Sequence, residues 1–110
     1  MKLTELDPRW LIEGDQRVGF LFRSPSDQLW YQCCMFAPTP RAKQIKLLSL
    51  ALEDLQARGR VQLSRPDFGW ACRPDPALAD FASLTLHPSV DGSAGGLWHG
   101  WIRNGEVISV

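Results

Sequence analysis

The sequence predicts an α+β fold: a mostly antiparallel β-sheet with one amphipathic helix, over about residues 40–58, packed on it. Three observations carry that expectation. Short β-leaning runs fill most of the chain ("RVGFLFR", "LWYQCCMF", "RVQLS", "GWACR", "ASLTLHPSV"), separated by turn residues such as "EGDQ", "SPSDQ" and "RPDF". One stretch alone spaces its apolar residues like a helix. An Asn-Gly pair, Asn104-Gly105, stands between two apolar runs near the end and marks a hairpin, because both turn positions need φ > 0.

Taken in order, "RVGFLFR" and "LWYQCCMF" flank the turn "SPSDQ", so residues 17–36 read as a hairpin. "APTP" then breaks the pattern. Thr39 is placed to cap the following helix and Pro40 to occupy its first position. Ile45, Leu48, Leu52 and Leu55, with Ala51 beside them, form an apolar stripe, and Gly59 suits a left-handed cap at the end. In the final hairpin a two-residue loop sets Arg103 opposite Glu106, Ile102 opposite Val107 and Trp101 opposite Ile108. Strand alternation puts Trp98, Gly100 and Ile102 on one face, and His99 and Trp101 on the other.

The length, 110 residues, fits a single domain over 1–110. Twelve basic residues balance twelve acidic ones, which disfavours nucleic acid as a partner because no overall positive field collects phosphates. No run of about 18 apolar residues is present to span a membrane as a helix. "MKLTELDPRW" lacks a signal-peptide core, and three cysteines, two adjacent, do not read as a disulfide framework; a cytoplasmic location is expected. The count leaves both a monomer and a homo-oligomer open.

Few residues point to chemistry. Cys33 and Cys34 are neighbours on a strand and face opposite ways, so neither joins the other at one ion. A relocated zinc site using one of them with Cys72 and His99 lacks the usual ligand spacing. No metal and no cofactor is expected. A hydrolytic or metal-dependent centre built from His87, Asp91 and His99, with Ser89 as a nucleophile, has no glycine-flanked elbow. "DGSAGG" lacks the lysine of a phosphate-binding loop.

Two features suit a protein partner. Arg41, Lys43 and Lys46 crowd the helix start while Glu53 and Asp54 come later, the reverse of what the helix dipole prefers. Five tryptophans are many for this length; most belong in the core, and exposed ones mark interfaces. The expected binding residues are Arg41, Lys43, Lys46, Trp98, His99 and Trp101.

"DFASLTLHPSVDGSAGGLWHGWIRNGEV", over residues 80–107, is similar to a pattern "DFxTLTLxPSIDxSxxxxWHGxIxNGEV", and "LTELDPRW" near the start is also similar. On these residues the chain resembles the bacterial and phage domain-of-unknown-function family six-five-two-seven. The family's first strand leads into Cys-Pro-x-Cys, and a further Cys or His precedes Trp-His-Gly. The resemblance implies a small zinc site tying the first hairpin to the last. Here "SPSD" replaces the first pair, so Ser24 and Asp27 stand for two thiolates, Leu97 stands near a third ligand, and only His99 remains. Serine is a poor zinc ligand and leucine is none. The resemblance therefore implies the family fold, a phage or mobile-element setting and, through the substitutions, loss of the metal; the scarcity of chemical groups, the tryptophans and the basic helix start then suggest a non-enzymatic module that binds another protein, a host defence protein being one concrete target.

Overall fold

The computed structural model describes residues 1–56 and 59–110. Among them the fold is α+β, with strands β1 (Arg9–Glu13), β2 (Gln16–Arg23) and β3 (Trp30–Met35), helix α1 (Arg41–Leu55), then β4 (Arg60–Leu63), β5 (Ala71–Arg73), β6 (Thr85–His87), β7 (Val90–Asp91), β8 (His99–Arg103) and β9 (Glu106–Ser109). Short 3-10 turns lie at Leu3–Leu6 and Ser93–Gly95. The first four strands form one sheet in chain order, β5 and β6 a second, and β7, β8 and β9 a third. Every strand pair is antiparallel except β3 with β4, which the helix joins. A parallel pair needs a crossover of this kind. None of the described helices is long and apolar enough to cross a membrane.

Alternation along β2 and β3 divides the core into two layers. Leu21, Cys33 and Met35 point toward α1 and meet Leu47, Ala51 and Leu55. Phe20, Phe22 and Cys34 point the other way, onto Trp70, Leu86, Val90, Trp98 and Ile102. The first sheet is therefore covered on both faces, by α1 on one side and by the later strands on the other. This explains why β2 and β3 read as almost unbroken apolar runs. The adjacent cysteines do face opposite sides, each fully buried.

The helix departs from expectation in three ways. Its buried face is Gln44, Leu47, Ala51 and Leu55, whereas Ile45 and Leu52 are 58% and 53% exposed. Eight apolar residues, two of them alanines, surround α1, so periodicity alone fits more than one phase; packing against β3 selects the phase by which side chains fill the space. Pro40 is the cap residue rather than the first helical one, and the Thr39 hydroxyl donates to Phe36 O instead of accepting from the helix. The helix ends at Leu55 with Gln56, not Gly59, at positive φ (48°). Gly59 is instead hemmed in: a Cβ there would sit 3.2 Å from Leu29 O and 3.4 Å from the Tyr31 ring. Residues 57 and 58 of the expected helix lie outside the described residues.

The last hairpin has the expected register, with Trp101, Ile102 and Arg103 opposite Ile108, Val107 and Glu106. Asn104 and Gly105 have φ of 49° and 74°. Trp98, Gly100 and Ile102 are buried, while His99 and Trp101 lie half-buried on the outer face. Gly100 is required by its neighbour, since a Cβ there would run into the indole of Trp98 and the carbonyl of Ile108. The N-terminus closes the edge of β9, with Leu3 N donating to Gly105 O and Val107 N to Met1 O, both at 2.8 Å. Of the tryptophans, Trp70 and Trp98 are core, and Trp10 stacks on Phe81 at 4.1 Å.

Candidate functional site

The glycine loop between β7 and β8 is a seat for two glutamines. The fully buried Gln32 of β3 accepts from Trp98 N (3.1 Å) and donates to Trp98 O (3.1 Å) and Ser64 Oγ (3.0 Å). The Gln62 amide, with its nitrogen turned to Gly92, donates to Gly92 O (3.3 Å) and accepts from Gly95 N (3.0 Å). A Cβ on Gly92 or Gly95 would collide with these amides. The loop's polar groups are thus spent inside the fold, where a phosphate cradle would need them free.

Beyond the loop, the outer face of β8 carries the expected histidine and tryptophan. Asp91 is the cross-strand partner of His99. Ser89 Oγ lies 3.3 Å from His99 Nε2. Asp91 Oδ1 accepts from Ser93 N at 2.8 Å. The hydroxyl and backbone N–H of Ser93 hold the Asp91 carboxyl below the usual aspartate range, outweighing the opposing effect of burial, and the charges of His99 and Arg65 add to them. No hydrogen bond or ion pair joins Asp91 to His99 among the described residues.

Next to this row, β6 runs beside β8 without joining its ladder. Both ends are tied: Asn104 N donates to Thr85 Oγ1 (2.8 Å) and Gly105 N to Leu84 O (2.9 Å), while Val90 and Asp91 pair with Gly100 and His99. Between the ties lies a groove of about 520 Å³, lined by His87, Pro88 and Ser89 from one segment and by Trp101 and Arg103 from the other. A second hollow of about 350 Å³, lined by Arg73, shares Thr85 and His87 with it. Neither lining contains Asp or Glu. The Arg103 guanidinium lies 5.1 Å from the Trp101 ring centre, a cation–π arrangement.

The six expected binding residues do not make one surface. Arg41 donates to Ser64 O (2.7 Å) and Leu63 O (3.1 Å), capping the end of β4. Lys43 and Lys46 are exposed on α1. Trp98 is 5% exposed, packs edge-on against Phe22 and donates from Nε1 to Ser109 Oγ. Only His99 and Trp101 belong to the outer face of β8, opposite the face that carries the buried Trp98 and Ile102. His87 lines the groove with Ser89, Trp101 and Arg103, whereas His99, whose Nε2 lies beside Ser89 Oγ, is not part of that lining.

The positions that the resemblance assigns to zinc serve other ends. Ser24 is buried with its hydroxyl 3.1 Å from that of Ser26, Asp27 accepts from Leu29 N, and Leu97 is 9% exposed. Nowhere among the described residues do three His, Cys, Asp or Glu side chains converge. Burial raises all three thiols, Cys33 to about 12, Cys72 to about 11 and Cys34 well above its ordinary value.

Sequence reasoning missed Gln32, Gln62, Arg73 and Arg103. Gln32 has a legible signal, a lone amide in an otherwise apolar strand. Arg73 and Arg103 have none, because their placement in adjoining hollows depends on how β5, β6 and β8 pack. No family model, no curated protein and no solved structure matches this chain.

Proposed function

We propose that this protein is a non-enzymatic interaction module, and that the groove between β6 and β8 receives a carboxylate-bearing segment of a partner protein. One observation carries the proposal: in a chain of zero net charge, His87 and Arg103 line the groove with Trp101, Arg73 lines the hollow that shares Thr85 and His87 with it, and neither lining contains an acid. Arg and Trp are the residues that dominate interface energetics. Thr85 and Ser89 supply hydroxyls in the same wall. The family resemblance supports a phage or mobile-element setting, the three unpaired cysteines support a cytoplasmic site of action, and a host defence protein is the target that fits this setting.

Titration with an octapeptide of Glu and Asp, followed by tryptophan fluorescence, tests the chemistry. Wild type is expected to bind, with affinity falling as salt rises. Trp101→Ala and Arg103→Glu should each weaken binding by roughly tenfold or more, about 1.4 kcal/mol. Lys43→Ala should leave it unchanged. Equal binding by all variants, or tighter binding of single-stranded nucleic acid than of the peptide, overturns the proposal.

One observation favours hydrolysis instead, the 3.3 Å approach of Ser89 Oγ to His99 Nε2 with Asp91 across the strands. The carboxylate, however, takes its hydrogen bond from Ser93, so it does not orient the imidazole as a triad requires. A fluorophosphonate probe separates the two. Labelling of Ser89 that His99→Ala abolishes would establish an activated nucleophile; an unlabelled protein that still binds the acidic peptide supports the module.

A further inference from the structure

The reversed charges of α1 have no role in the groove, and the outward side of the helix has none in the core. Ala42, Ile45, Ser49 and Leu52 recur at spacings of three, four and three on that side. This is the a/d pattern of a helix that packs along a second helix. Small Ala42 and Ser49 alternate with large Ile45 and Leu52, the latter two more than half exposed. The fold does not need this seam, since Gln44, Leu47, Ala51 and Leu55 already fill the opposite side.

We infer that a second copy of this chain docks on α1, its helix antiparallel to the first, seam against seam. Charge selects this occupant. Lys46 and Glu53 stand seven residues apart on one edge of the seam, both exposed, and neither takes part in an ion pair among the described residues. In an antiparallel pair related by a two-fold axis, the same edges of the two helices meet. With the axis level with Ser49, so that Ile45 of each copy meets Leu52 of the other, Lys46 of each copy faces Glu53 of the other, twice over. The placement that opposes the helix's own dipole thereby becomes self-complementary, because each basic helix start lies beside an acidic helix end. A 15-residue helix is about 22 Å long and buries less than the roughly 1,600 Å² of a standard interface, so the dimer is expected to dissociate in the micromolar range.

Sedimentation equilibrium of the full chain over a micromolar concentration series tests the inference, with circular dichroism to confirm that each variant is folded. Wild type should pass from monomer to dimer. Leu52→Glu, at an exposed position, should remain monomeric. Lys46→Glu and Glu53→Lys should each weaken association by roughly tenfold, and the double swap should return it to within about threefold of wild type. Trp101→Ala should dimerise normally, which keeps this test separate from that of the groove. A wild type that stays monomeric, a dimer indifferent to Leu52→Glu, or a double swap that fails to restore association overturns the inference.

Discussion

Gln32 and Trp98 are joined as if their segments were neighbouring strands. The side-chain amide of one satisfies both the N–H and the C=O of the other, each at 3.1 Å, across 66 positions of sequence. The amide stands in for a backbone partner and fastens the last sheet to the first. Buried amides without partners are costly, so the pairing stabilises chiefly by leaving nothing unsatisfied.

Gln32→Ala strands the Trp98 backbone groups and the Ser64 hydroxyl in a dry site and opens a void beside Gly92. The expected loss is about 2–4 kcal/mol in urea unfolding. Gln32→Leu, which keeps the volume but not the hydrogen bonds, should recover less than half of that loss. Full recovery by leucine would show that the amide serves only as filler.

Gly100 lies under the Trp98 indole, and a methyl group there has no space. Gly100→Ala should lower stability by about 1–3 kcal/mol through overpacking. In the background of Trp98→Phe, whose ring is smaller, the same change should cost less. Equal costs in both backgrounds would place the strain at the Ile108 carbonyl.

Arg41 and Lys46 look alike in the sequence but differ in the fold. Arg41→Ala removes two charge-assisted bonds to Leu63 O and Ser64 O and should cost about 1–3 kcal/mol. Lys43→Ala and Lys46→Ala should stay within about 0.5 kcal/mol in dilute solution. Denaturation midpoints of the three variants decide this directly.

Acid should weaken the protein through two aspartates. Burial alone would raise the Asp7 carboxyl, but hydrogen bonds from the Tyr31 hydroxyl and the Arg9 guanidinium, with Arg9 and Arg23 charge, outweigh it and lower it. Asp91 is lowered by Ser93. Both folded-state values lie below the unfolded ones, so their contribution is complete above the unfolded value and is lost as pH falls through the folded one. The melting temperature should therefore hold steady from neutrality to about pH 5 and fall below about pH 4. Asp7→Asn and Asp91→Asn should start lower and show a flatter acid limb.

Local chemistry made much of this legible. Asn104-Gly105 set the hairpin because few other pairs accept two positive φ angles, and the register of Arg103 with Glu106 followed from loop length. Cys33 and Cys34 could be placed on opposite faces because a strand alternates. The candidate site was only half visible. Thr85, His87, Trp101 and Arg103 are drawn from a strand and a hairpin that fail to join ladders, and no spacing in the sequence records a missing ladder.

Strand alternation, the turns and the existence of one helix were legible in the residues alone, since these depend on φ, ψ and neighbours a few residues away. Packing of the layers settled which side of α1 is buried, that Arg41 and Trp98 belong to the scaffold, and that Arg73 and Arg103 line adjoining hollows. Those outcomes depend on how layers fill space against each other. A helix apolar on nearly every side, and a glutamine that imitates a strand, leave that choice to packing.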